Sequence, residues 1–363
     1  MKAVTVVDKR EIKHGTTIEW TRRPGTRGET LNPIRARRLS DGKLGWHCTH
    51  KNIECIFCYA ERLNLKGGAS GGTGFPYKPG HLQNGDVEVF LDENVLTKPL
   101  HWKSPCTIFV CSMTDLFADF VSDEWIDKVF AVAALSPQHT FIILTKRPDR
   151  MERYFNGPYP NGDGVLARIA EQTFELVPPG GKLPDCLAER PIGPLIEGQP
   201  EFGWRRFLHP KAFPFRNVWL GTSCGSQQTA DENAAHLRAT PAAVRFLSVE
   251  PMIGPVQPDL TGIGWVICGG ESGPFARPRH PEWARLLRDQ CAVAGVRYFD
   301  KQQGEWAESD DDDAVLVGFD PDIAEHDCAF DMSRAARMKR VGREKAGRLL
   351  DGREHNEFPQ VDQ

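Results

Sequence analysis

Thr107–Ser112 reads TIFVCS and Phe141–Thr145 reads FIILT. Both are short, β-branched and nearly continuous in apolar residues rather than alternating. Such a run suits a strand buried on both faces, as strands of a parallel sheet are. Runs of the same character stand at Thr16–Trp20 (TTIEW), Val218–Ser223 (VWLGTS), Val244–Glu250 (VRFLSVE), Trp265–Gly269 (WVICG) and Val296–Lys301 (VRYFDK). Helical signals lie between them. Ser122 is a plausible N-cap before Asp123 and Glu124, and Trp125, Ile126, Val129, Val132 and Ala133 make an apolar stripe up to Ser136-Pro137. Trp283, Leu286, Leu287 and Gln290–Val293 form a second stretch, ended by Gly295. Strands alternating with helices predict an α/β chain with a complete or partial (β/α) barrel, and an open doubly wound sheet is the structural alternative.

Two regions break the pattern. Residues 152–214 are rich in Pro and Gly, as in NGPYPNGDG and LVPPGGKLPD, and read as an insertion or lid. Residues 307–363 open with the acidic run ESDDDDA and continue into a basic segment, SRAARMKRVGREKAGR. We therefore expect a barrel unit over residues 1–306 and an acidic linker with a basic C-terminal extension over 307–363.

At 363 residues, with 40% hydrophobic and 26% charged residues, the chain has the composition of a soluble globular protein. No apolar run reaches the length of a membrane span, and the first residues lack the apolar core of a secretion signal, so a cytoplasmic location without a membrane partner is expected. The net charge of −4 excludes a uniformly basic nucleic-acid coat. It leaves room for two local patches: Arg22, Arg23, Arg27, Arg35, Arg37 and Arg38, and Arg334, Arg337, Lys339, Arg340, Arg343 and Lys345.

Ten cysteines are present. Those at 106, 111, 186, 224, 268, 291 and 328 are scattered and read as small buried hydrophobes. The other three form Cys48-x6-Cys55-x2-Cys58 in HCTHKNIECIFCYAER. Three thiolates from one short stretch suit a zinc ion completed by His47 or His50, or an iron–sulfur cluster with one iron left open. The glycine-rich LKGGASGGTG at 65–74 lacks the phosphate-loop pattern and reads as a loop. In a parallel barrel, functional groups gather just past the strands. Here those groups are Ser112, Thr114 and Asp115; Thr145, Lys146 and Arg147; Thr222 and Ser223; Ser248 and Glu250; Glu271 and Ser272; and Lys301, Gln302 and Gln303.

Taken together, IEW, the cysteines with CYAER, FVCSMTDLF, HTFIILTKRPDRM, NVWLGTS, RFLSVEPMIGP, WVICGGESGP, RDQCAVAGV and LDGREHNEFP resemble the phage Gp37/Gp68 family. That is a three-cysteine-motif group similar to radical S-adenosylmethionine (SAM) proteins of the spore-photoproduct-lyase type. The resemblance implies a radical SAM-type barrel and a [4Fe–4S] cluster on Cys48, Cys55 and Cys58. The usual spacing in such proteins is C-x3-C-x2-C with an aromatic before the last cysteine, which here is Phe57. It implies S-adenosyl-L-methionine as cofactor. Lys146, in LTKRP, and Ser223 would take its carboxylate. Ser112, Thr114 and Asp115 would meet its amino group, and Phe57 and Tyr59 its adenine. Glu271, after Gly269-Gly270, reads either as a ribose or substrate contact or as part of a structural turn. Cys111, Cys224 or Cys268 could donate a hydrogen atom. The implied activity is reductive cleavage of SAM to a 5′-deoxyadenosyl radical, with Lys146, Asp115 and Glu271 at the reacting centre. The substrate would be a nucleic acid or nucleotide, the reductant a flavodoxin or ferredoxin, and a three-Cys-motif protein a further partner. The rival readings are a non-catalytic zinc- or iron–sulfur-stabilised nucleic-acid-binding module and a subunit active only with its partner.

Overall fold

Every apolar run from Thr107 onward becomes a strand of one sheet. The computed structural model describes residues 15–67, 71–157, 164–177, 184–192, 203–209, 212–318 and 335–360. Its main sheet comprises β1 (Arg27–Leu31), β2 (Cys106–Val110), β3 (Thr140–Thr145), β4 (Val218–Ser223), β5 (Val244–Val249), β6 (Trp265–Gly269) and β7 (Arg297–Gln302). The strands lie side by side in chain order and all pair in parallel. The sheet curls into a half-barrel. All residues of β2, β4 and β6 are buried, because both faces are covered.

Helices cover the outer face. After α1 (Tyr59–Lys66), whose Ala60 packs with Tyr77 and Met113, they are α2 (Asp123–Ala134), α3 (Pro148–Asn156), α4 (Val165–Leu176), α5 (Gln227–Ala239) and α6 (Pro281–Ala294). Ser122 caps α2 by accepting from the Trp125 N–H, and Gly295 ends α6 at φ 68°. The inner face is filled by aromatic rings. Trp265 packs among Trp219 (5.9 Å between ring centres), Phe246 (5.7 Å) and Phe299 (6.2 Å). Gly221 of β4 leaves space for Phe246: a Cβ there would lie 2.4 Å from that ring.

The expected first strand, Thr16–Trp20, is not a strand. Glu19–Thr21 is a 3₁₀ turn that drives Trp20 into the barrel interior, 4.6 Å from Phe109. The first strand is instead RGETL, whose burial pattern is mixed because it is an edge of the sheet with one neighbour.

The described part of 152–214 belongs to the outer layer. Ile169, Ala170 and Phe174 of α4 are buried in the same core as Phe130 of α2. Arg168 pairs with Asp127 at 2.8 Å, and the Tyr154 hydroxyl donates to Asp127 at 2.6 Å. A hairpin, Leu187–Ile192 with Gly203–Leu208, follows.

Past residue 306 the chain builds onto the barrel. Trp306–Glu308, Val315–Val317 and Ala336–Arg340 form an antiparallel sheet. In it the acidic and basic runs neutralise each other, with Lys339 at 2.7 Å from Asp311 and 2.9 Å from Asp313. Farther on, the Trp265 indole donates to the Glu357 carbonyl at 2.9 Å, and Phe358 packs on Trp265 and Phe299. No described helix is long and apolar enough to cross a membrane.

Candidate functional site

A cavity of about 460 Å³ opens at the C-terminal ends of the strands. Its size suits a small ligand. Cys48, Cys55 and Cys58 line it, with Phe57 and Tyr59 between and beside them. Ser112, Thr114 and Asp115 arrive from β2, Lys146 from β3, Ser223 from β4 and Glu271 from β6. The residues that the resemblance assigns to cluster, cofactor and reacting centre thus border one space. Trp20, Phe109 and Leu144 give that space an apolar floor.

The cysteine loop is held by residues that carry none of the expected chemistry. Glu54 is buried between Cys48 and Cys58 in sequence. Its carboxylate accepts from Gly225 N at 2.6 Å, Thr229 Oγ1 at 2.7 Å and Asn52 Nδ2 at 3.0 Å. The loop is thereby tied to the N-terminal end of α5, where a carboxylate is favoured by unspent backbone N–H groups. On the other side, Arg147 donates to the Thr49 carbonyl at 2.8 Å and to its hydroxyl at 2.7 Å. Thr49, Asn52 and Glu54 all fall within the six-residue gap. The gap is long because it carries the anchors that fasten the loop to β3 and α5.

Asp115 is fully engaged. Its oxygens accept from Thr145 Oγ1 (2.7 Å), Phe117 N (2.9 Å), Lys146 N (2.9 Å) and Arg147 Nη1 (3.1 Å). This carboxylate sets the turn that aims Lys146 and Arg147. Ser112 Oγ is paired with Asn32, and Thr114 Oγ1 donates to the His47 carbonyl at 2.6 Å. The Tyr59 hydroxyl donates to the Ser112 carbonyl at 2.6 Å, closing α1 against β2. Glu271 forms a fork with Arg277, 2.9 Å to Nε and 2.7 Å to Nη2. Behind it, a Cβ on Gly270 would lie 2.1 Å from the Gln303 carbonyl, so the glycine pair is required by packing.

Lys146 and Ser223 differ from these residues. Among the described residues neither side chain has a hydrogen-bond or ion-pair partner, and both border the cavity. Burial opposes the Lys146 charge, but Cys55, Glu54, Cys58 and Asp115 outweigh it and hold its pKa above lysine's ordinary value. Burial pushes the Cys48 thiol up to about 12, with Asp115 adding to the effect and Arg147 opposing it. The Cys58 thiol is also raised, first by burial. Among the described residues no group of three or more His, Cys, Asp or Glu stands together as ligands of a single metal ion. Neither histidine weighed as a zinc ligand borders the cavity. His50 Nε2 lies on Glu61 at 3.2 Å, and His47 is buried with its pKa pushed down to about 4 by burial and by His81.

Cys111 borders the cavity at φ 55°, whereas Cys224 and Cys268 are buried away from it. None of the described residues of 152–214 lines it. The N-terminal basic patch is largely spent. Arg22 donates to Thr16 O, Arg27 pairs with Glu29 and Arg37 with Glu88. Arg38 pairs with Asp41, while Arg23 and Arg35 stack on Trp219 and Trp46. In the C-terminal patch, Arg337 donates to Asp311 O and Arg340 to Gly273 O. Arg334 and Cys328 lie outside the described residues. Glu54 and Gly225 were not singled out by sequence, since a lone acid or glycine carries no motif; Arg147 was read as a strand-end group, without its role as an anchor of the cysteine loop.

The model of the family described as protein of unknown function DUF5131 matches residues 16–359, and the chain belongs to that family. No curated protein and no solved structure matches it.

Proposed function

We propose that this DUF5131 chain is a radical SAM-like iron–sulfur enzyme. One observation carries the reading. Three cysteines from one doubly anchored loop and an unpartnered ammonium, Lys146, border the same cavity at the C-terminal mouth of a parallel half-barrel. The donor set fits the group. Buried thiols are costly as isolated thiolates, and they border the cavity without a histidine beside them. Soft thiolates of this kind suit an iron–sulfur cluster with one iron open to a ligand.

Cys48, Cys55 and Cys58 would hold a [4Fe–4S] cluster. Bound there, such a cluster supplies the electron for homolytic cleavage of SAM. The chain's own residues bind and position. Lys146 Nζ and Ser223 Oγ are free donors for a carboxylate. Asp115 does not bind ligand in this reading; it fixes the backbone that presents Lys146. Tyr59 and Phe57 supply aromatic surface for an adenine. The apolar floor of Trp20, Phe109 and Leu144 limits water around a reactive intermediate.

The test is 5′-deoxyadenosine formation by anaerobically reconstituted protein with SAM and either dithionite or a reduced flavodoxin or ferredoxin. Product is expected from the wild type and not from Cys58→Ala. One bound zinc and no product would sink the proposal. A full iron–sulfur complement that yields product only after a partner protein is added would assign the chain as one subunit of the active enzyme.

A further inference from the structure

We infer that the rim of the cavity holds a phosphate subsite, formed by Arg62, Ser272 and Arg343. It rests on the proposed function only in taking the bound molecule as substrate. All three residues line the cavity. They come from α1, from the loop after β6 and from the helical turn Arg343–Ala346. The turn is seated over the end of β7, with Gln303 N donating to the Gly347 carbonyl at 3.0 Å and both Val341 N and Gly342 N donating to the Glu305 carbonyl at 3.0 Å.

The donors at this rim are unspent. Among the described residues Arg62 makes one long hydrogen bond, Nη1 to the Ser272 carbonyl at 3.4 Å. Arg343 makes one contact, 3.6 Å to Glu19 Oε1, beyond hydrogen-bond distance. A guanidinium has five N–H donors, so most remain available on each. The Ser272 hydroxyl has no partner among the described residues. The other charges nearby are committed. Glu271 is held by Arg277. Glu305 Oε1 accepts from Gly273 N at 2.8 Å, and Arg340 donates to Gly273 O at 2.7 Å. Among the described residues Glu19 is the carboxylate that pairs with Arg343; that contact is weak, and its other oxygen, Oε2, is buried without a hydrogen-bond partner.

Two planar cations and a hydroxyl match a dianion with three peripheral oxygens, the geometry of a phosphate monoester. A nucleic-acid strand would need a track of free cations leading away from the mouth. Of the neighbouring basic residues, Arg22, Arg27, Arg37, Arg38, Arg337, Lys339 and Arg340 are paired and Arg23 and Arg35 stacked, so no such track is left among them. The ligand class is therefore a small phosphate-bearing molecule rather than a strand.

Calorimetric titration of inorganic phosphate and of a short oligothymidylate into the purified chain tests this. Phosphate should bind the wild type and bind about tenfold more weakly to Arg62→Gln and Arg343→Gln. Lys345→Gln removes the same charge from the same turn but does not line the cavity, and it should bind as the wild type does. Arg343→Lys keeps the charge and loses the fork, so intermediate affinity is expected. Arg343 is half-exposed, and unchanged thermal melting should accompany its substitutions. Absence of phosphate binding, equal binding by Arg343→Gln, or equal loss in Lys345→Gln would overturn the subsite. Tighter, steeply salt-dependent binding of the oligonucleotide would overturn the ligand class. Phosphate binding needs neither cluster nor SAM. If it fails while 5′-deoxyadenosine still forms, only this inference is lost; the reverse result removes only the radical reading.

Discussion

Glu54, buried, and Lys146, half-buried, are two charges with opposite consequences. Glu54 closes three hydrogen bonds across the cysteine loop and α5. Glu54→Ala would leave the Gly225 N–H with only its longer contact to Thr229 Oγ1 at 3.2 Å, in a close-packed turn where a Cβ on that glycine would meet the Pro251 carbonyl at 2.3 Å. A loss of about 2–3 kcal/mol in urea melting is expected, the range for orphaning a buried partner. Lys146 has no partner to lose among the described residues. Lys146→Gln loses only the attraction of Cys55, Glu54, Cys58 and Asp115, so it should cost less stability in urea melting than Glu54→Ala and still abolish 5′-deoxyadenosine formation. A large fall in stability would reassign Lys146 to the scaffold. The cysteines and Lys146 were legible in the sequence because spacing and strand-end position announce them. Glu54 was not, since a single acid has no pattern until its partner is known, and Arg147 was legible as a strand-end group but not as the anchor of Thr49.

At the scale of elements, legibility followed burial. The runs from β2 to β7 could be read because both of their faces are covered and the residues show it. The β1 strand, RGETL, escaped because an edge strand keeps polar residues, and TTIEW misled because an interior plug is as apolar as a strand. One joint between elements gives a pH prediction. His139 is buried at the foot of β3, where Nδ1 accepts from Cys106 N at 3.2 Å and Nε2 donates to the Pro99 carbonyl at 3.1 Å. Burial lowers its pKa below the ordinary 6.5. A depressed folded-state pKa means the unfolded chain binds the proton more readily. The stability that neutral His139 provides is thus complete above about pH 6.5 and declines as pH falls toward its folded-state value. His139→Gln should flatten part of that decline in thermal melts between neutral and mildly acidic pH; an unchanged slope would clear His139 of the effect. A second joint is Asp127, which binds Arg168 of α4 and Tyr154 of α3. Asp127→Ala is expected to cost about 2–4 kcal/mol, as breaking a buried pair does, measured by urea denaturation.

For the whole molecule, the boundary near residue 306 that composition suggests marks no break in the core. The indole of Trp265 and the ring of Phe299 are covered by Glu357 and Phe358. The Arg279–Asp300 pair, wholly buried at 3.1 Å, lies beneath the same return, where Asp300 N donates to the His355 carbonyl at 3.0 Å. A chain cut after residue 306 should lack a cooperative thermal transition and show solvent-exposed tryptophan fluorescence. A sharp transition with blue-shifted emission would prove the first 306 residues self-sufficient. Charge runs hid this arrangement. An acidic stretch followed by a basic one looks like a tail in sequence, and only their pairing across a sheet makes them structure.

The barrel floor joins distant parts of the chain. Trp20 enters it from the first described turn and Phe358 from the last described residues, and both pack on Trp265. During synthesis, the floor stays open to water until the final strand-covering segment has left the ribosome. The cysteine loop, made early, must wait on that event for the closed floor of its cavity. Any metal centre seated there is therefore best installed into a finished chain, and delivery machinery would meet a folded client rather than a nascent one.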